Sequence, residues 1–137
     1  MRIFLIAPED GGVTGREVGC GDSAVAVVTT LPRQQPALQG ALQALLDQQG
    51  HRNSPLTGHY NALYASPLQV ERIERVGSQG AEVWVHLKGY LEVEGACDGE
   101  RALAQLTETA LQFPDVSRAQ FLLGGRPLSG LLPKDKR

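Results

Sequence analysis

From Ala81 to Lys88 the chain alternates strictly: Ala81, Val83, Val85 and Leu87 are apolar, while Glu82, Trp84, His86 and Lys88 between them are polar or amphipathic. Side chains of a strand point to opposite faces in turn, so this predicts a strand with one face buried and the other at least partly wet, as in an antiparallel sheet. Ser78-Gln79-Gly80 turns the chain just before it. The preceding stretch, Leu68 to Val76, is also β-like, with apolar residues at 68, 70, 73 and 76. That slip of register predicts a bulge or a sharp twist. Residues 68 to 90 therefore form a hairpin.

Elsewhere the period lengthens. Leu38, Ala41, Leu42, Leu45 and Leu46 fall at i, i+3, i+4, i+7 and i+8, the apolar stripe of a helix. Pro36 suits its first turn and Gly50 its C-terminal cap. A second helix runs from about Asp98 to Phe113, with Leu103, Leu106, Ala110 and Phe113 on the inward face. Asp98 is placed as its N-cap and Glu100 near its positive end, and Pro114 stops it. Arg2 to Ala7 reads as a first strand, and Pro8 to Gly21 as a polar loop with five glycines. Ala24 to Leu31 reads as a buried strand ended by Pro32. Residues 51 to 67 read as a loop with one helical turn around Asn61. Ala119, Phe121 and Leu123 alternate as a last strand, closed by Gly124-Gly125. Two one-faced helices and four to five strands must share an interface. The expected fold is α+β: a small antiparallel or mixed sheet with both helices on one face, in the order β-β-α-β-β-α-β.

The length of 137 residues suits a single domain with a proper core, here expected over 1–137 with a core of about 18–130 and a flexible tail from 131. With 42% apolar and 20% charged residues, the composition is that of a soluble globular protein. No run of apolar residues is long enough to span a membrane. The N-terminal apolar run is too short for the core of a signal peptide. Either the chain is cytoplasmic or its leader lies outside this stretch. The 13 basic residues are scattered among 15 acids, for a net charge of −2. No basic stripe of the kind nucleic acid requires occurs before the tail Lys134-Asp135-Lys136-Arg137, which reads as a frayed terminus.

Candidate chemistry is sparse. Cys20 and Cys97 each sit near glycine and aspartate, one before the second strand and one at the start of the second helix. With His51, His59 and His86 they show none of the usual zinc spacings, so no metal or cofactor is expected. Cys20 with Asp22 and Ser23 offers a thiol, a carboxylate and a hydroxyl, and Cys97 lies near a helix N-terminus that would lower a thiol pKa. Thiol catalysis also needs a base oriented by a third group, and no motif ties a histidine to either cysteine. The chain is therefore read as no enzyme, with a thiol-dependent enzyme centred on Cys20 as an alternative. Trp84, His86, Lys88 and Tyr90, with Tyr60, make a candidate binding surface for sugar rings or a partner strand. The alternative is that another segment folds over the strip. Tyr60 and Tyr64, at helical spacing, read as packing. Residues 56–66 could border a small-ligand pocket. Gly124-Gly125-Arg126-Pro127 lacks the helix and lysine of a phosphate loop and reads as a hairpin turn.

Several stretches together resemble the GerMN (germane) domain of bacterial sporulation and spore-germination proteins. They are Val18-Gly19-Cys20-Gly21-Asp22-Ser23, Ala41-Leu42-Gln43-Ala44-Leu45-Leu46, Tyr60-Asn61-Ala62-Leu63, Cys97-Asp98 with Arg101, and the run from Gln105 to Val116. The resemblance spans roughly residues 18 to 130. It implies a non-catalytic, extracytoplasmic domain of the cell envelope, normally behind a signal peptide or lipid anchor, with a fold similar to ring-building modules of sporulation machinery. The partner it implies is another envelope protein or a cell-wall polymer, with self-association possible; a small-ligand or glycan-binding module is the alternative. The implied compartment also favours a disulfide between Cys20 and Cys97 over two free buried thiols. Some members of the family carry two copies of the domain, and this chain shows one.

Overall fold

The computed structural model of the protein describes residues 1–30, 36–55 and 57–133. Along the chain run β1 (Arg2–Ala7), β2 (Arg16–Val18), a 3-10 turn (Gly19–Gly21), β3 (Asp22–Val28) and α1 (Ala37–Leu46). There follow β4 (Leu68–Val76), β5 (Glu82–Gly89), α2 (Ala96–Leu111), β6 (Arg118–Leu123), β7 (Arg126–Pro127) and a closing 3-10 turn (Leu128–Gly130). The class is α+β, and the long elements follow the expected order β-β-α-β-β-α-β.

The strands divide into two sheets, where one of four to five strands was expected. β1-β3-β2 is antiparallel throughout, while β4-β5-β6-β7 is mixed. The hairpin of β4 and β5 carries its register shift between Val70 and Arg72, the predicted bulge. β5 and β6 run parallel. Parallel neighbours need a long crossover, and α2 supplies it. β6 and β7 close as a two-residue hairpin at Gly124 and Gly125, whose φ values of +59 and +80 suit glycine.

The second sheet does not join β1 because the outer edge of β1 is already occupied. The amides of Arg2, Phe4 and Ile6 donate to Gln112 Oε1 (3.0 Å), Thr109 Oγ1 (3.1 Å) and the Tyr60 carbonyl (2.8 Å). Two of these acceptors are side chains of Thr109 in α2 and of Gln112 just past its end. On the other sheet, Gln43 of α1 accepts from the Val70 amide of β4 at 3.0 Å. Each helix thus closes the backbone of one edge strand while its apolar residues enter the core. Leu38, Leu42 and Leu45 of α1 and Ala102, Leu106 and Ala110 of α2 are buried with Leu5, Val83, Val85 and Phe121.

Several boundaries shift. β3 starts at Asp22 and ends at Val28; the expected end at Leu31–Pro32, like the basic tail 134–137 and Leu56, lies outside the described residues. α1 ends at Leu46, and Gly50 does not cap it. Two turns intervene before Gly50, with φ +94, aims its amide at the Tyr64 carbonyl, 2.8 Å away. α2 begins two residues earlier than expected, with Gly95 at the cap position and Asp98 inside the first turn. Asp98 is therefore not the N-cap: its carboxylate is drawn instead to Tyr60 and Arg101. Leu103 and Phe113 are only partly buried, and Gln105 and Thr109 take inward places beside Leu106 and Ala110. Around Asn61 the chain makes a helical turn, with Tyr64 N donating to Asn61 O at 3.2 Å.

Candidate functional site

The strip on β5 forms as its alternation requires. Val83, Val85 and Leu87 are buried, while Trp84 and His86 are half-buried and Lys88 is exposed. His86 Nε2 lies 3.0 Å from Glu74 Oε1 on β4, and Arg72 Nη1 lies 3.4 Å from the same oxygen. A carboxylate only accepts, so His86 presents Nε2–H to it. That bond, and then the Arg72 charge, hold the Glu74 carboxyl below its ordinary range. The Trp84 indole N–H is buried and has no hydrogen-bond partner among the described residues. His86 and Lys88 of the strip, with Glu71, Arg72, Gly124 and Gly125, line a groove of about 510 Å³. Tyr90 leaves the strip: β5 ends at Gly89, whose φ of +119 turns the chain where a Cβ would strike the Pro67 carbonyl. Tyr90 is 62% exposed beyond that turn.

Tyr60 belongs elsewhere in the fold. It bridges Ile6, at the edge of β1, and is 8% exposed. Its hydroxyl donates to Asp98 Oδ2 at 2.7 Å. Arg101, one turn further along α2, donates from Nη1 to Asp98 Oδ1 at 3.2 Å. Its Nε and Nη2 donate to the two oxygens of Asp22, at 2.6 and 3.3 Å. Asp22 is fully buried and also accepts from the Glu9 amide at 2.9 Å. The Arg101 guanidinium lies 5.5 Å from the Tyr60 ring centroid, a cation–π contact. Arg52 lies 5.9 Å from the Tyr60 centroid and 5.6 Å from that of Tyr64, and the Tyr64 hydroxyl donates to Glu94. Asp22 raises the Arg101 pKa further, which fixes the guanidinium as the charge that compensates two buried carboxylates.

Beside this network stands a disulfide between Cys20 and Cys97, with Cα atoms 5.9 Å apart. Both cysteines are exposed, not buried, and no free thiol remains among the described residues. The sulfur that a thiol enzyme would use is therefore bonded. Asp22 and Arg101 sit two and four residues beyond the two cysteines, so the covalent bond and the ion pair fasten the same turn to the same helix. From the sequence, Asp22 stood only as a carboxylate beside Cys20, and Arg101 had no role of its own. A signal was present: joining Cys20 to Cys97 brings Asp22 and Arg101 into one neighbourhood.

A family model described as Germane, sporulation and spore germination, matches residues 7–129. The chain belongs to this family. Among solved structures, the first GerMN domain of the sporulation protein GerM from Bacillus subtilis superposes with a TM-score of 0.61 at 16% identity. That match covers 93% of this chain and 85% of the other. The tandem GerMN domains of the same protein match with a TM-score of 0.58 at 15% identity, over 93% of this chain and 40% of theirs. At such identities the likeness shows a shared fold. Among curated proteins none matches. In this Germane domain, no described helix is long and apolar enough to cross a membrane.

Proposed function

We propose that this Germane domain works outside the cytoplasm as a non-catalytic interaction domain of the bacterial cell envelope. It meets another envelope protein or a wall polymer with the open face of the β4-β5-β6-β7 sheet. The observation that carries this reading is the strip of Trp84, His86 and Lys88, in which two basic side chains line a groove and a half-buried aromatic ring precedes them on the same face of the strand. Aromatic faces beside hydrogen-bonding and cationic groups suit sugar rings and protein surfaces alike. The exposed disulfide supports the compartment, because such bonds persist in oxidising surroundings and are reduced in the cytosol. Trp84 is the chain's single tryptophan, so its fluorescence reports on this face alone. Titration with purified cell-wall sacculi is expected to shift its emission and to co-sediment the protein, and Lys88→Glu to weaken both. Unchanged emission, no co-sedimentation and a strictly monomeric sedimentation profile would together remove the proposal.

A second reading has its own observation. Arg52, Asn53, Thr57, His59 and Tyr60 line a groove of about 450 Å³, and the buried His59 Nδ1 has no hydrogen-bond partner among the described residues. A small polar ligand in that groove would satisfy the nitrogen by drawing the ring outward and donating to it. A thermal-shift screen supports this reading if a compound raises the melting temperature and His59→Ala cancels the rise. A screen without hits counts against it.

A further inference from the structure

The three-stranded sheet carries a second surface, distinct from the strip on β5. Among the described residues β2 pairs with β3 alone, and it borders a groove of about 480 Å³ shared with α2. The groove floor is apolar, formed by Val18 from β2 and by Leu103 and Ala104 from α2. Its rim is acidic. Glu100 and Glu108 of α2 supply its carboxylates, against one cation, Arg16, whose Nη1 is 3.3 Å from Glu108; the Glu17 side chain lies on the other face of β2, opposite Ser23 and beside Gly12. We propose that this groove takes up an extended, basic segment of a partner protein, which adds to β2 as a further strand.

Three features define that occupant. An unpaired strand edge offers backbone donors and acceptors in a row, and an extended peptide satisfies them by β-augmentation. An apolar floor with charged walls suits a strand whose alternate residues are apolar, facing Val18 and Leu103, with lysine or arginine between them. With Arg16 paired to Glu108, Glu100 is the acid left on the rim, which favours a basic segment and disfavours an acidic one.

The disulfide sets the width of this groove. Cys20 follows the β2 wall by two residues, and Cys97 lies in the first turn of the α2 wall. Glu100, on the rim, has its carboxylate 3.7 Å from Cys20 Sγ. That sulfur carries no proton, so this is a contact and not a hydrogen bond. Gly19 makes room for it, since a Cβ there would fall 1.9 Å from Glu100 Oε2. Reduction removes one of the ties between the two walls, leaving the Asp22–Arg101 and Arg16–Glu108 pairs, and the segment is held less firmly.

The test uses the isotopically labelled full chain and a synthetic hexapeptide of alternating lysine and valine. Binding is expected to move amide resonances of residues 16–19 and 100–108, and the same peptide with glutamate in place of lysine is expected to move none. The Glu100→Lys variant, changed only at an exposed position, is expected to bind the basic peptide severalfold more weakly. If that variant fails to fold, Glu100→Gln decides, with the same direction of change. Reduction of the disulfide is expected to weaken binding severalfold. No shifts at millimolar peptide, shifts confined to other elements, equal response to the acidic peptide, or undiminished binding by the charge-reversed variant would each overturn the proposal.

Discussion

Arg101 is the residue on which the polar interior depends. It compensates Asp22, which is wholly buried, and Asp98, which is nearly so, while itself keeping a side chain 21% exposed. Removing one partner of such a group leaves charge uncompensated in the interior, a loss typically about 3–5 kcal/mol. Arg101→Met is expected to destabilise the domain by about 3 kcal/mol in urea unfolding. Asp22→Asn in the same background is expected to recover part of that, since it removes the orphaned charge. Arg101→Lys is not a mild change here, because a single ammonium cannot fork across both Asp22 oxygens and still reach Asp98.

Tyr60 adds a pH dependence with a definite sign. Burial, and after it the hydrogen bond to Asp98, raise the phenol well above its ordinary value of 10.0. Above pH 10.0 the unfolded chain ionises this group while the folded chain keeps it neutral. The contribution of Tyr60 is therefore whole below that pH and is lost as pH rises beyond it. Stability measured by denaturant titration from pH 8 upward is expected to fall beyond about pH 10. In Tyr60→Phe that decline is expected to be shallower, from a lower starting stability. Glu100 makes a different forecast. A carboxylate about 4 Å from a sulfur repels an incoming thiolate by about 1 kcal/mol in water, so Glu100→Gln is expected to speed disulfide reduction by glutathione about fivefold.

At the scale of elements, α2 has two jobs on one side. Ala102, Leu106 and Ala110 fill the core, while Asp98, Gln105 and Thr109, with Gln112 just past the helix end, run alongside them and bind backbone or buried polar groups. Gln105 accepts from the Ala62 amide at 2.8 Å and donates to Asn61 Oδ1 at 3.1 Å, so the 60–63 turn is hung from the helix. Thr109→Val keeps the shape but leaves the Phe4 amide without its acceptor. The expected loss is about 1–3 kcal/mol, with faster hydrogen exchange at Phe4 as the local readout.

These elements were unequally legible. Both helices, the 68–90 hairpin with its bulge, and the strands around Ile3 and Phe121 follow from apolar period alone. β2 does not, because Arg16-Glu17-Val18 is too short to show alternation and sits in a glycine-rich stretch. Asp98 was misread because an acid near a helix start has two uses, and capping is the one visible without tertiary partners. The division into two sheets could not be read either. It rests on Thr109 and Gln112 occupying the edge of β1, and polar residues on a helix ordinarily signal a solvated face. Gln43 misleads in the same way, since its contact is with a strand 27 positions away in the chain.

Across the whole molecule, the Cys20–Cys97 bond spans 77 positions and ties the first sheet to the crossover helix of the second. In the chain-entropy picture such a loop stabilises the fold by roughly 4–5 kcal/mol, with measured losses on removing native disulfides of about 2–5 kcal/mol. Cys20→Ser/Cys97→Ser is expected to lose stability in that range while keeping the wild-type circular dichroism spectrum, because both sheets retain their hydrogen bonds. A fold that collapsed outright would show that the buried ion pairs cannot hold the turn to α2 unaided.

The same bond also decides how the molecule carries tension. A pull applied at its two ends travels along the backbone to Cys20, crosses the sulfurs to Cys97, and continues from there. The stretch between them, with α1 and the β4–β5 hairpin, lies outside the load path. Stretched to its full contour in an optical trap, the oxidised protein is expected to fall short of the reduced one by roughly 250–280 Å, the extended length of the bypassed chain. Redox state thus sets how far the domain can lengthen when drawn between two anchored neighbours.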